Sequence, residues 1–220
     1  MRNILLVRFL VLGLFISIPS GNLFAQTAYE SLGTGDWGDP LTWSPNGVPD
    51  VSASDTAAIT DAAHTVTVEA DHSAAGTVFQ DDGWVEIVPD ATLTSPVTTS
   101  LADQGNLGFS GSNGTVAGNV GAGGAYLYQI KVVANGSGTV DGDVFVGTGG
   151  VLLDAAAAEG DTTEFRITDG HSLDGVVQTS LDGAGTLTSL GTNEITGQVG
   201  VSGTSLLAVQ GGEGDGEPNY

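Results

Sequence analysis

Apolar and polar residues alternate with a period of two in short segments spread along most of the chain. His64-Thr-Val-Thr-Val-Glu69, Gly83-Trp-Val-Glu-Ile-Val88, Tyr126-Leu-Tyr-Gln-Ile-Lys-Val-Val133, Gly142-Asp-Val-Phe-Val146 and Thr163-Glu-Phe-Arg-Ile-Thr168 alternate or are densely β-branched, and Gly, Asn, Asp or Pro bounds each. Residues two apart share one face of a strand, so each segment predicts a short strand with one buried face. Helical periodicity is nearly absent. The best helical stretch, residues 152–159 with four alanines at 155–158, lies between Gly149-Gly150 and Gly160 and predicts at most a turn or two.

Small units recur between these strands. Asn113-Gly-Thr-Val-Ala-Gly-Asn-Val120 and Gly138-Thr-Val-Asp-Gly-Asp-Val144 are two of them, and Thr196-Gly-Gln-Val-Gly-Val-Ser202 echoes them. In each, a glycine between two valines lets the chain bend, and the pattern returns at uneven intervals of roughly 20 to 30 residues. Such units suit a coil of short strands stacked on the next coil, with Val, Leu and Ile in a narrow core and Gly, Asn and Asp at the corners. The expected fold is therefore all-β, a parallel β-solenoid. The alternative is a β-sandwich, which also has short strands and frequent turns but seldom so much glycine within its strands.

The two ends differ from this middle. Residues 1–25 have the parts of an export signal: Arg2 and Arg8, an apolar run to Ile18, and Leu23-Phe-Ala25 as a cleavage site. Arg8 leaves only residues 9–18 before Pro19-Ser-Gly-Asn22, short of the roughly 20 that a spanning helix needs. No later segment is long and apolar enough to span either. Residues 26–50 hold two of the three tryptophans, Trp37 and Trp43, in a Pro-rich, turn-rich stretch expected to cap the first coil. The solenoid is expected over 51–210 and a disordered acidic tail over 211–220.

The stretch from Trp37 to Thr94 resembles the opening of secreted bacterial β-helix proteins of the autotransporter-passenger type. The likeness rests on Trp37, Thr42-Trp43, Gly47-Val-Pro49, Asp55-Thr-Ala-Ala-Ile59, His64-Thr-Val-Thr-Val68, Gly83-Trp-Val-Glu-Ile87 and Ala91-Thr-Leu-Thr94. The later Gly-Thr-Val-x-Gly-x-Val units are similar to passenger repeats as well. The resemblance implies a right-handed β-helix outside the cell or on its surface, and it implies no catalytic residue.

Charge narrows the partners. The chain has 26 acidic residues against four Lys and Arg, a net charge of −22. Removal of a leader that carries two arginines and no acids takes this to −24 and leaves Lys131 and Arg166 as the cations. Nucleic acid and anionic membranes both demand positive side chains, so neither is an expected partner. The absence of cysteine excludes disulfides, thiolate nucleophiles and Cys-ligated metals.

Candidate chemistry is sparse. His64, His72 and His171 are read as solvated turn histidines, because residues adjacent in sequence, as in Asp-Gly-His-Ser, rarely converge into a triad. A lyase acting on acidic sugars would need more cations than two, whereas a glycosidase on neutral sugars needs only a carboxylate pair. Trp37, Trp43 and Trp84 are the candidates for stacking on sugar rings. Asp81, Asp82, Asp141 and Asp143 offer hard oxygen ligands for calcium, although turn aspartates also arise simply to bond backbone amides. Thr65-Val-Thr67, Thr92-Leu-Thr94 and Thr186-Leu-Thr188 resemble the steps of ice-binding solenoids, but their spacings of 27 and 94 residues do not repeat, and they are read as strand threonines. Asn113-Gly-Thr115 and Asn135-Gly-Ser137 match glycosylation sequons and are read as turns.

The expected function is that of an exported, non-enzymatic structural or adhesive protein of the surface or matrix, with no obligate cofactor. The alternative is a carbohydrate-binding or glycan-degrading module.

Overall fold

The computed structural model describes residues 26–154, 163–180, 184–200 and 206–211. The expected leader at 1–25 and all but the first residue of the expected acidic tail at 211–220 lie outside these. Apart from two short 3-10 turns, Pro40–Thr42 and Val51–Ala53, every described element is a strand. The helical stretch considered at 152–159 begins inside a strand, Val144–Asp154, and continues outside the described residues.

Each strand pairs in parallel with the strand one coil further on, in three columns that form a β-solenoid, seven coils joined by six turn-to-turn steps. Coils 1 to 7 run over 56–73, 76–94, 97–117, 120–141, 144–167, 172–189 and 194–211, each passing through sheets 1, 2 and 3 in that order. In sheet 1, Val97, Val120, Val144, Leu173 and Ile195 stand one above another. In sheet 2 the column is Val66, Val85, Leu107, Ile130, Val151 and Val177. In sheet 3 it is Leu93, Val116, Val140 and Ile167. All but Ile195 are fully buried. Parallel ladders joining successive coils exclude the sandwich, whose sheets are built from antiparallel hairpins and Greek keys.

Alternation explains the three faces. In Thr65–Val68 and Trp84–Ile87 every second residue is buried, and the strand direction turns only after the polar run that follows. Each enclosed Val, Leu, Ile or Phe contributes about 1.5–3 kcal/mol, and a layer acquires this only when a neighbour covers it. Coil length is free to vary, from 19 residues between Val66 and Val85 to 29 between Val144 and Leu173, while the apolar columns stay aligned.

Glycine serves the corners and also the core. At the bend from sheet 3 to sheet 1, a Cβ on Gly142 would stand 2.4 Å from the Gly118 carbonyl oxygen, so two coils touch backbone to backbone there. Gly114 and Gly138 lie inside strands, stacked on each other and facing the Phe109 ring. At the corner from sheet 2 to sheet 3, Asp90, Asn113 and Asn135 all have φ near +60°, the left-handed region that Asp and Asn tolerate best. Both sequon asparagines are thus turn formers.

The sequence before coil 1 folds against it. Ala28–Ser31 pairs in parallel with Thr56–Ile59, and on its other side with Trp43–Ser44, which runs antiparallel. Trp37 and Trp43 meet edge to face at 5.1 Å, and the Trp43 indole N–H donates to the Trp37 carbonyl at 2.9 Å. Both rings are 0% exposed.

Candidate functional site

The densest polar constellation lies at the corner from sheet 3 to sheet 1, in coils 3 to 7. Three short polar residues there immediately precede the apolar residue of sheet 1: Asn119 before Val120, Asp143 before Val144, and Ser172 before Leu173. Coil stacking brings them into line. The Asp143 amide donates to Asn119 Oδ1 at 2.9 Å, and the Ser172 amide and hydroxyl donate to Asp143 Oδ1 at 2.9 and 3.1 Å. From above, Asn193 Oδ1 accepts the His171 amide at 3.0 Å. Beside this line, Thr168 donates its hydroxyl to Asp141 Oδ1 at 2.6 Å.

His171 spans the two aspartates. Its Nε2 is 3.6 Å from Asp141 Oδ1 and its Nδ1 is 3.7 Å from Asp143 Oδ1, contacts that become ion pairs when the ring is protonated. The bond from the Ser172 amide holds the Asp143 carboxyl below the usual aspartate range against the opposing effect of burial, with the Ser172 hydroxyl and His171 adding to it. A carboxylate pinned in this way joins coils through its Oδ1.

The same device recurs around the molecule. Asp71 accepts the Thr92 amide at 2.9 Å, Asp169 the Thr192 amide at 2.7 Å and Asp55 the Thr27 amide at 3.1 Å, each across one coil. Glu69 accepts the Trp37 and Gly38 amides at 3.1 and 3.0 Å and meets His72 at 3.2 Å. Burial raises the Glu69 carboxyl, but these bonds and that of its own backbone outweigh it, and the net shift is downward. Acidic side chains of neighbouring coils thus supply partners to amides at the corners, beside the backbone carbonyls that serve others there.

The sequence-predicted residues fall into separate places. Asp141 and Asp143 come together, with His171. Asp81 and Asp82 lie at another corner, in coil 2, where Asp81 accepts the Asp82 amide at 2.8 Å. No group of three or more His, Asp or Glu arranged to hold a metal occurs among the described residues. Trp37 and Trp43 cannot stack on a sugar as expected, because both rings are enclosed by the protein and offer no face. Trp84 is half-buried on the outer side of sheet 2 and covers Gly108, where a Cβ would meet the ring at 3.5 Å. Aromatic cover of a strand glycine is itself a packing role.

Of the histidines, only part of the solvated reading holds. His64 Nδ1 bonds Ser31 Oγ at 2.7 Å, and Ser31 is buried while also accepting the Thr60 amide at 3.1 Å. His72 stacks on Trp37 at 6.3 Å. Both cations are paired as well: Lys131 with Asp154 of the next coil at 2.7 Å, and Arg166 with Glu164 at 2.6 Å. That arginine holds the Glu164 carboxyl low, against burial, with help from the Thr188 hydroxyl of the coil above.

Sequence reading missed Asn119, Thr168, Ser172 and Asn193. For Asn119 and Ser172 a signal was present: a small polar residue directly before Val120, Val144 and Leu173, one coil apart. The threonines show the same effect. Thr92, Thr115 and Thr139 pair directly in adjacent strands of sheet 3, although no Thr-x-Thr step repeats evenly in the sequence.

Comparison with protein-family models, curated proteins and solved structures finds no match to this chain.

Replacing Asp143 with Ala frees the Ser172 amide and costs about 1 kcal/mol, a modest figure for a partly exposed bond. Because the folded carboxyl titrates below its unfolded value, its stabilisation is present above the unfolded aspartate range, about pH 4, and is lost as pH falls through the folded value. Urea titrations at successive pH values check both. The Asp143→Ala deficit is full at neutral pH and shrinks toward zero under strong acid, and a deficit independent of pH contradicts the assignment.

Proposed function

We propose that this chain is an exported, non-catalytic structural protein of the cell surface or surrounding matrix, in which the stacked coils are the working part. The observation that carries this reading is where the acids go. Asp143, Asp71, Asp169 and Glu69 accept backbone amides from neighbouring coils, so the residues that supply a catalytic or metal site in other proteins here secure a rod. The three-part leader at 1–25 supports export. The partners are surface or matrix components, glycans among them, met by open sheet faces such as the one that carries Trp84 and Glu86. Calcium, if taken up, acts as a counterion to these faces.

N-terminal sequencing and fractionation of the producing cells test the reading. The expected protein begins at Gln26 and resides in the medium or on the cell exterior, where added protease reaches it. A chain retained in the cytosol with residues 1–25 intact overturns the proposal.

A further inference from the structure

Two departures from the regular coil meet at the corner from sheet 1 to sheet 2 in coils 4 to 6. After Val120, coil 4 sends out a small hairpin, in which the Ala122 and Ala125 amides each donate to the other's carbonyl, at 3.1 and 2.9 Å. Its tip, Gly123-Gly124, stands in open space, with nothing beyond its chain neighbours within 4 Å of an added Cβ. Coil 5 then carries a bulge. Leu127 pairs with Val146 and Gln129 with Gly150, so two steps of coil 4 run beside four of coil 5, and Tyr128 stands opposite Gly147, Thr148 and Gly149. Neither insertion adds a residue to the apolar core. Bulges re-aim side chains and gather beside functional sites.

Both insertions are tied down from several coils. Asp103 of coil 3 reaches past coil 4 to accept the Thr148 amide at 3.0 Å. The Gly149 carbonyl accepts Gln129 Nε2 from coil 4 at 3.3 Å and Gln178 Nε2 from coil 6 at 3.5 Å. The hairpin returns at Tyr126, whose ring meets Phe145 of coil 5 edge to face at 6.2 Å and whose hydroxyl donates to Asp174 Oδ2 of coil 6 at 2.8 Å. Leu127 points inward and is fully buried, so the tyrosines on either side of it point outward, and Tyr128 is 39% exposed. Among the described residues, Asp174 Oδ1, the Thr148 hydroxyl and the Oε1 atoms of Gln129 and Gln178 have no hydrogen-bond partner. The corner thus joins an outward aromatic to a set of fixed, unspent polar groups.

We propose that this corner binds a neutral saccharide, with a sugar ring laid on Tyr128 and its hydroxyls bonded to Thr148, Gln129, Gln178 and Asp174. The face of an aromatic ring is electron-rich and attracts the C–H groups of a sugar ring, and tyrosine supplies that face with little entropy to lose. Amide, hydroxyl and carboxylate oxygens held in place beside it select hydroxyls by direction. Charge excludes other partners. Asp103 and Asp174 stand at this corner, whereas Lys131 is paired with Asp154 and Arg166 with Glu164, so an acidic sugar, a phosphate or an acidic protein meets repulsion and no cation. A basic partner would call for open carboxylates, and one oxygen of each acid is already taken. The site deepens the surface or matrix reading and rests on glycans being among the partners; an exterior protein that holds no glycan refutes the site alone.

Affinity electrophoresis of the leader-free chain tests this, in native gels that contain dextran, mannan, galactan or a mixed-linkage β-glucan, with polygalacturonate as the acidic contrast. The expected result is retardation in at least one neutral gel and none in polygalacturonate. Tyr128→Ala weakens that retardation about tenfold while leaving the circular-dichroism spectrum intact. Thr148→Val weakens it as well, with every aromatic ring in place. Leu41→Ala, at an exposed site on the cap, leaves it unchanged, and so does about 1 M NaCl, because no charge is matched. Migration unaltered in every neutral gel overturns the proposal. So does retardation that Tyr128→Ala leaves intact, that Leu41→Ala removes, or that salt abolishes, the last marking a charged partner.

Discussion

Phe109→Ala lowers the unfolding free energy by about 3–5 kcal/mol, Gly138→Val lowers it by about 1–3 kcal/mol, and the two together cost clearly less than their sum. The reason is a local exchange of volume between coils. Phe109 ends the sheet 2 strand of coil 3 and is fully buried. Its ring fills the space left by two stacked glycines in sheet 3: a Cβ on Gly114 would stand 2.9 Å from it and one on Gly138 2.4 Å. Gly138 has no left-handed backbone, so the cost of the valine is steric and not conformational. Removing the ring opens a cavity that the valine then occupies. Denaturant melts of the two single variants and the double variant give the coupling directly, and strict additivity sinks the packing assignment.

Raising NaCl from about 10 mM to about 1 M raises the melting temperature steeply, by many degrees, since the screening length falls from about 30 Å to about 3 Å over that range. The acids cannot disperse. Successive coils stand one strand spacing apart, about 4.8 Å, which keeps the many acids close together, and only Lys131 and Arg166 stand against them in the described residues. Self-repulsion of this kind opposes the compact state and fades with ionic strength. A thermal scan in sodium and in calcium salts at equal ionic strength separates screening from binding. Equal curves mean screening alone; a higher melting temperature in calcium assigns a bound divalent ion to the aspartates. A flat response to sodium contradicts the electrostatic account.

Strands were legible in the sequence because period-two alternation is a local property. His64 to Glu69 contains the observed Thr65–Val68, Gly83 to Val88 contains Trp84–Ile87, and Thr163 to Thr168 contains Glu164–Ile167. The repeat was legible in kind and not in position. Thr115 to Val120 and Thr139 to Val144 turn from sheet 3 to sheet 1, whereas Ile195 to Val199 turns from sheet 1 to sheet 2. A glycine bend between two valines is the same local device at either corner, and only the register between coils tells them apart.

That register also decides the polar corner. Asp143 and Ser172 are 29 residues apart, and Asn119 and Asp143 are 24 apart. Coil lengths vary too much for any fixed period to have paired them. Trp37 and Trp43 stood out as aromatic, but their enclosure depends on coil 1 folding over them. The strand role of Gly138 is defined by Phe109, a residue one coil away, and leaves no mark in its own neighbourhood.

The cap gives the stack a keystone. Each layer is held chiefly by the layers on either side of it, and for coil 1 one of those layers is the segment that carries Trp37 and Trp43. A molecule that loses this segment bares coil 1, and the loss then passes from one coil to the next, as a zip runs open once its stop is gone.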